Sequence, residues 1–599
     1  MLSYLDVHLV YTLPAIGVLT LITWPFINRS EIFKITFLSL LALVYTTPWD
    51  NYLIANGAWI YQKNKVLGVL GYVPIEEYMF FILQTTLTSL WALMCMRWST
   101  PCLNFNYNKP SFQLIRWIPI LLLSITTLIG WTIAIPGEKS FYLGTILWWV
   151  CPVTAFVWYG AGNYFTKKKV SASVAIIVPT VYLCWIDQLA LKQNVWHINE
   201  QTSLEIFPFE DLPIEEAFFF FIVNVMIVLG VCAYDKARGL SETYTSDYPY
   251  QFGMNKHYIG QMLFAFLTDE CSKPEIVVKD IKKSMDVLAI ASKSFNVASF
   301  LFQSGIRLDL MILYAFCRVT DDMIDDEPDV DKKKRKLELT TQFVDELFAD
   351  RKSDYDVKTK PHMPQISWPL FESELSDDEL ACFRAISRIT FYLPRKPFYD
   401  LLAGYKWDID GRFVKDETDL LLYSSYVAGS VGMLCVYVMM YRSDDRGCEF
   451  KEKHEYVIGK AHQMGQVLQI VNIARDIITD SETLGRCYVP TDYMDDEIEE
   501  IKILCHKKNP RTLGNQKLKK YSTRMIQLAN KFQTESVVGI RCLPKETRGA
   551  VLAATDIYQG LTSKIQSNAI YPKRAALSKW SKIFIGLYSL YFKSIQYIL

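Results

Sequence analysis

Two acidic clusters in the second half of the chain are spaced for metal-assisted chemistry. The first is Arg318-Val319-Thr320-Asp321-Asp322-Met323-Ile324-Asp325-Asp326, and the second is Asn472-Ile473-Ala474-Arg475-Asp476-Ile477-Ile478-Thr479-Asp480. Residues three and four apart share a helix face, so Asp321 or Asp322 lines up with Asp325 and Asp326, with Arg318 one turn earlier. Asn472, Asp476 and Asp480 fall at i, i+4 and i+8 and form one stripe, on a helix that the apolar run 464–471 buries on its other sides. Like charges repel, which makes two such stripes a poor way to stabilise a core. Mg²⁺ (or Mn²⁺) resolves the conflict, because it binds through a few carboxylates plus the oxygens of a substrate diphosphate. The candidate metal-binding residues are therefore Asp321, Asp322, Asp325, Asn472, Asp476 and Asp480. A solvated helix face explains one acidic cluster; two stripes with interleaved arginines and apolar flanks argue against it. A calcium EF-hand is excluded, since the DxDxDG spacing is absent.

The first half carries another set of carboxylates, written twice. Trp49-Asp50 is followed by Trp59 and then Pro74-Ile75-Glu76-Glu77; Trp185 and Asp187 are followed by Trp196 and then Pro213-Ile214-Glu215-Glu216. Proline in the first turn and carboxylates at a positive helix end make any single PIEE an ordinary helix start. Its duplication with matching Asp and Trp favours function, because carboxylates at a hydrocarbon boundary are costly. A carboxyl kept from water favours its proton-bearing form. Glu76, Glu77, Glu215 and Glu216 are then candidate acids for protonating an alkene, and tryptophan faces can stabilise the resulting carbocation. Asp50 and Asp187 are candidates for removing a proton or holding the network in place.

The elements that must position these residues follow from composition. The 599 residues hold 51% hydrophobic side chains, concentrated in long runs before about residue 235, while charge density rises after about residue 248. Seven apolar segments, near 7–27, 31–49, 77–97, 115–135, 141–162, 171–191 and 215–234, meet the length of about 20 residues that a bilayer needs. The repeat covers segments one to three and five to seven. With one connecting segment between them the copies are parallel, so both PIEE elements reach the same membrane face and build one pocket. Arg29, Arg97, Lys109, Arg116, the lysines 167–169, Lys236 and Arg238 follow the odd-numbered segments, which puts those loops and the second half in the cytosol. The expectation is an integral, multi-pass membrane protein: a seven-helix membrane domain with a parallel internal repeat (1–238), a polar linker (239–250) and an all-α domain (251–599).

Other classes are excluded or disfavoured. Lys+Arg and Asp+Glu both number 63, so nothing favours nucleic acid as a partner. The cysteines show no CxxC pair and argue against a disulfide framework or zinc site. The start Met1-Leu2-Ser3-Tyr4-Leu5-Asp6 lacks a basic region and reads as the beginning of an uncleaved membrane segment. No flavin or nicotinamide fingerprint is present; Gly160-Ala161-Gly162 lacks the third glycine and suits helix packing. Residues 350–366 read as a surface insertion. The apolar tail 583–599, interrupted by Lys593, reads as a core or interfacial helix.

Four blocks of the second half resemble the squalene and phytoene synthase family. They are Ser292-Lys293-Ser294-Phe295, residues 314–326, Tyr423-Ser424-Ser425-Tyr426-Val427-Ala428-Gly429-Ser430-Val431-Gly432, and residues 472–490 with Arg486-Cys487-Tyr488-Val489-Pro490. The resemblance implies an all-α isoprenoid-synthase fold and two molecules of geranylgeranyl diphosphate joined head to head into phytoene. It also implies a role for Tyr423 near a cation, diphosphate contacts by Arg318, Arg475, Arg486, Ser294 and Arg307, and substrate binding by Tyr488. The first half, by its duplicated PxEE and Trp-Asp helix ends, resembles the flavin-free lycopene cyclases. That implies lycopene as substrate, closed to β-rings, with a separate phytoene desaturase acting between the two steps. Both halves in one chain, cyclase first, resemble the fungal bifunctional lycopene cyclase/phytoene synthase family. The rivals are a membrane-anchored squalene synthase, which needs a nicotinamide, and a non-catalytic seven-helix protein fused to a scaffold. Against the second, segment seven holds no lysine for a retinal-type ligand and both aspartate stripes are retained.

Overall fold

A computed structural model describes residues 2–249, 256–351, 361–443, 454–567 and 574–598. It divides into two compact units, Met1–Val278 and Lys279–Leu599.

The first unit is built on seven long helices: α1 (Tyr4–Phe26), α2 (Arg29–Ala55), α3 (Ile75–Met96), α4 (Lys109–Ile133), α5 (Phe141–Lys167), α6 (Lys169–Lys192) and α7 (Ile214–Thr243). Each is long and apolar enough to cross a bilayer. Their starts are set by local chemistry. Ser3 and Asp6 form a capping box at α1, Asn28 and Asn108 cap α2 and α4, and Pro74 and Pro213 sit at the N-caps of α3 and α7. The outward faces are apolar, with Leu21, Val44, Leu121, Leu128 and Trp131 exposed. A water-facing helix bundle would carry charge there.

Four short strands complete the unit: β1 (Trp59–Tyr61), β2 (Val69–Leu70), β3 (Val73–Pro74) and β4 (Trp196–Ile198). β2 and β3 form a hairpin leading into α3. β1 and β4 come from the two repeats and pair antiparallel, Trp59 opposite Ile198 and Tyr61 opposite Trp196. This pairing clasps the two copies at the end where both PIEE helices begin.

Two sequence readings change here. The stretch taken as a linker continues α7 to Thr243, with Gly239–Thr243 and Tyr248 buried, and helix α8 (Lys256–Leu267) packs on α5 and α7 inside the same unit. Its polar composition reflects internal bonds, such as Arg238 to Glu242 at 2.7 Å. Several basic residues assigned to loops are likewise buried. Lys168 Nζ donates to the Met96 carbonyl, and Lys236 Nζ donates to the carbonyls of Ala265, Phe266 and Thr268.

The second unit is all-α. Its main elements are α9 (Ser304–Asp325), α10 (Lys396–Ile409), α11 (Glu417–Arg442), α12 (His454–Thr479), α13 (Lys545–Ser567) and α14 (Lys579–Tyr588). α11 is the eighth helix with membrane-like length and hydropathy. Its apolar surface packs on protein: a Cβ on Gly432 would meet the Ala461 carbonyl at 2.7 Å, and one on Gly465 would clash with the Ala428 carbonyl. α11 and α12 therefore touch backbone to backbone. Most of the expected insertion, residues 352–360, lies outside the described residues.

A buried ion pair links α9 to α11. Arg442 Nε donates to Asp309 Oδ2 at 2.5 Å, and Tyr392 donates to the same oxygen at 2.7 Å. Both charged side chains are almost fully buried. Asp309→Ala leaves the Arg442 charge buried and is expected to destabilise this unit by about 3–5 kcal/mol, read as a lower denaturation midpoint by circular dichroism.

Candidate functional site

Each unit gathers its own carboxylates. In the first, Glu77, Asp187 and Glu216 line one cavity with Tyr4, His8, Trp59, Tyr61, Phe80, Trp196, Phe219 and Phe220. Glu77 Oε2 accepts from Tyr4 at 2.5 Å and from Tyr61 at 3.0 Å. Glu216 Oε1 accepts from Tyr142 at 2.8 Å and from Trp59 Nε1 at 3.0 Å. Trp59 thus reaches from the first repeat to the glutamate of the second, a consequence of the β1–β4 clasp. Trp196 Nε1 donates to Asp187 Oδ1 at 3.0 Å within its own repeat.

The first glutamate of each PIEE does something else. Glu76 Oε1 accepts from the Leu67 backbone N–H at 2.7 Å, and Glu215 Oε1 from that of Leu204 at 2.6 Å. Both brace the loop ahead of their helix, and neither lines the cavity. Asp50 is fully buried, and neither of its carboxyl oxygens has a hydrogen-bond partner among the described residues. Aromatic rings pack beside Glu216: Trp49 stacks on Trp149 at 4.3 Å and on Phe219 at 5.7 Å.

Tyr4 and Tyr142 were not among the sequence candidates. They begin α1 and α5, and each donates to the second glutamate of its own repeat. Extending the repeat back to these equivalent helix starts was the available signal.

In the second unit, α9 delivers the first aspartate cluster and α12 the second. Arg318 pairs with Asp322 at 2.5 Å and reaches Asp321 at 3.5 Å. Asp325, the last residue of α9, is held by Arg486, while Asp326 is exposed at the helix cap. Arg486 arrives there because α12 runs into a π-turn, Asp480–Leu484, that ends at Gly485 with φ +66°. That left-handed conformation suits glycine and reverses the chain toward α9.

Charge accumulates in this cleft. Desolvation, then the neighbouring Asp325, push Asp321 up to about 8. Desolvation, then Asp476 and Asp325, push Asp480 up to about 7, which puts the two clusters within electrostatic reach of each other. Burial raises Asp476 too, but hydrogen bonds from Arg475 and Arg574 outweigh it and hold the carboxyl below its usual value. Arg574 bonds both oxygens of Asp476, at 2.9 and 3.1 Å. The Asn472 side-chain oxygen is buried without a hydrogen-bond partner among the described residues.

These donors suit a hard cation. Asn472, Asp480 and Asp321 offer oxygens that are unsatisfied or electrostatically strained. Among the described residues, no three His, Cys, Asp or Glu side chains form a ready cage. Mg²⁺ normally needs none, since water and substrate phosphate complete its shell.

Tyr423, at the end of the first segment of α11 and just before a π-turn, donates to Asp408 Oδ2 at 3.0 Å. Tyr488 donates to Asp408 Oδ1 at 2.9 Å, and the two rings stack at 4.8 Å. Asp408 lies 3.9 Å from Arg486 and is pushed up to about 6, chiefly by desolvation. It was missed in the sequence because it lies on α10, outside either acidic run. Asp408→Ala frees both tyrosine hydroxyls and loosens Arg486. It is expected to lower turnover at this site by about 10- to 100-fold, the usual cost of losing an orienting partner, with Asp408→Asn intermediate in a steady-state assay.

Two sequence candidates stand apart. Arg307 is buried near the start of α9, with its guanidinium 3.7 Å from the Phe300 ring centroid. It lies about 16 Å before Arg318 along the helix. The Ser294 side chain lies outside the described residues.

Residues 288–581 match the squalene/phytoene synthase family. The bifunctional lycopene cyclase/phytoene synthase of Blakeslea trispora is 38% identical over 98% of this chain and 96% of its own length. The chain belongs to the bifunctional lycopene cyclase/phytoene synthase family. Another bifunctional lycopene cyclase/phytoene synthase, from Phycomyces blakesleeanus, is 36% identical over 99% of this chain and 96% of its own. That of Neurospora crassa is 30% identical over 96% and 98%. A crystal structure of a dehydrosqualene synthase is similar over 54% of this chain and 98% of its own, at 22% identity and a TM-score of 0.39.

Proposed function

We propose that the second unit makes phytoene from two geranylgeranyl diphosphates and that the first closes the ends of lycopene into β-rings. The observation that carries the reading is that each unit converges its own motif carboxylates, Glu77, Asp187 and Glu216 in one, Asp321, Asp325 and Asp480 in the other.

In the synthase unit, Asp321, Asp322, Asp325, Asn472, Asp476 and Asp480 would hold Mg²⁺. Bound Mg²⁺ neutralises the diphosphate oxygens and makes diphosphate a better leaving group. Arg318, Arg475 and Arg486 orient the same oxygens by charge-assisted bonds. Departure of one diphosphate leaves an allylic cation. The alkene of the second substrate attacks it, and loss of one proton gives a cyclopropyl diphosphate. Departure of the second diphosphate, rearrangement and loss of a second proton give phytoene. No reductant enters. A squalene-type product would need hydride in place of the second proton loss, and no nicotinamide fingerprint is present. Tyr423 and Tyr488, aligned by Asp408, face the cation and help carry its proton.

In the cyclase unit, Glu77 or Glu216 protonates a terminal alkene of lycopene. The cation closes the ring beside the indole faces, which stabilise it through their quadrupoles. Asp187 accepts the proton lost on forming the ring double bond. One proton enters and one leaves, so the step is an isomerisation. Glu76 and Glu215 hold the loops, and Asp50, buried with no hydrogen-bond partner among the described residues, is a second candidate for taking the proton away. The chain is an integral, multi-pass membrane protein with the synthase unit in the cytosol. A phytoene desaturase must work between its two reactions.

Two assays test this in membranes containing the full chain. Geranylgeranyl diphosphate with Mg²⁺ and no nicotinamide should yield phytoene, and lycopene alone should yield γ- then β-carotene. Failure of either under these conditions rejects that half of the reading. Because the facing aspartates repel, Mg²⁺ with inorganic diphosphate is expected to stabilise the synthase unit. At a hundredfold excess over Kd the shift is about 5 °C in thermal unfolding of detergent-solubilised chain, and EDTA should reverse it.

A further inference from the structure

The last helix of the chain presents an aromatic stripe that neither site uses. α14 continues through a π-turn, Ser589–Lys593, and one more turn, Ile595–Ile598. Its inner face is fixed. Ser589 Oγ donates to Asp556 Oδ2 on α13 at 2.7 Å, Lys593 Nζ donates to Asp556 Oδ1 at 2.6 Å, and Leu590 and Ser594 are buried. The outer face is therefore held outward. On it Trp580 is 78% exposed, Phe584 73%, Tyr588 55% and Phe592 66%, with Leu587 and Ile595 also exposed. Single exposed apolar residues are ordinary, but a continuous helical row of six marks an interaction surface.

The charge around the stripe names the occupant. Lys579 and Lys582 flank Trp580 at the start of the row, and residues 574–598 hold no Asp or Glu, in a chain whose total charge balances. A helix with Trp, Phe and Leu on one face and lysines beside it is built to lie in the plane of a membrane interface. Trp and Tyr favour the headgroup level, and basic residues are drawn to anionic lipid. Two copies meeting through this face would set lysines against lysines, since a two-fold contact is self-complementary. The segment is also too short, and too interrupted by Lys593, to span. We propose that this face of the synthase unit docks on an anionic bilayer surface, its aromatic row in the acyl boundary and Lys579 and Lys582 among the headgroups.

The test uses the full chain reconstituted in phosphatidylcholine vesicles with and without phosphatidylserine. Phe584 or Phe592 is replaced by the photoreactive p-benzoylphenylalanine, which an exposed position accepts without disturbing the fold. Ile498, 82% exposed in the helix Glu497–Ile501, serves as the reference position. The expected result is lipid adduct at 584 and 592 several-fold above that at 498, rising with phosphatidylserine. Adducts joining 584 or 592 to peptide, whether of the same chain or of a second copy, overturn the proposal. So does a lipid yield no higher than that at 498.

Discussion

Asp321→Asn is expected to cut phytoene formation by about 10²- to 10³-fold, the size of losing one preorganised charge from a transition-state site, while lycopene cyclisation stays unchanged. Asp321 is where the cleft concentrates negative charge. Its carboxyl rises to about 8 through desolvation, with Asp325 the next contributor, so an arriving cation gains most there. The neighbouring Asp326→Asn is the matched control. Asp326 is exposed at the cap of α9, and its loss should change phytoene formation little. The measurement is product formed from geranylgeranyl diphosphate across a Mg²⁺ titration. If excess Mg²⁺ fully restored Asp321→Asn, the residue would serve affinity alone and not the departing diphosphate.

The second large effect separates two adjacent glutamates. Glu216→Gln is expected to lower β-ring formation by about 10²- to 10⁴-fold, the range for removing a general acid, and to leave phytoene formation intact. Gln keeps an acceptor for Tyr142 and Trp59, so the cavity should persist while the proton is lost. Glu215→Gln keeps the acceptor that Leu204 needs, and Glu215 does not line the cavity, so ring closure should change little. Chromatography of carotenoids formed from lycopene resolves the two cases. Equal losses in both variants would mean that the loop brace and the acid are not separate roles.

The legibility of these sites differs by residue. Asp321, Asp322 and Asp325 on one helix face, and Asn472, Asp476 and Asp480 on another, follow from helical spacing and were visible in the chain. The duplicated Trp, Asp and PIEE elements likewise announced two copies of one structure. What spacing leaves open is which neighbour a side chain meets. Asp325 and Asp326 are equally placed in sequence, yet only Asp325 meets Arg486, which is 161 residues away. Asp408 lies outside both aspartate clusters, and its partners Tyr423 and Tyr488 are 15 and 80 residues away, so their pairing could not be foreseen. Arg307, read as a diphosphate contact, lies against the Phe300 ring about three turns before Arg318 on α9.

The amino-acid sequence by itself determined the all-helical architecture, the seven apolar segments and the two sets of spaced carboxylates, because periodicity, hydropathy and carboxylate spacing act over a few turns of chain, while the two reactions were implied by the resemblance. The tertiary structure alone decided that β1 and β4 clasp the repeats, that Trp59 serves the opposite repeat's glutamate, and that Glu77 and Glu216 face the cavity while Glu76 and Glu215 turn back to the backbone. Those outcomes depend on hydrogen bonds between segments tens to hundreds of residues apart. Their geometry is set only when the helices pack and most buried polar groups find a partner.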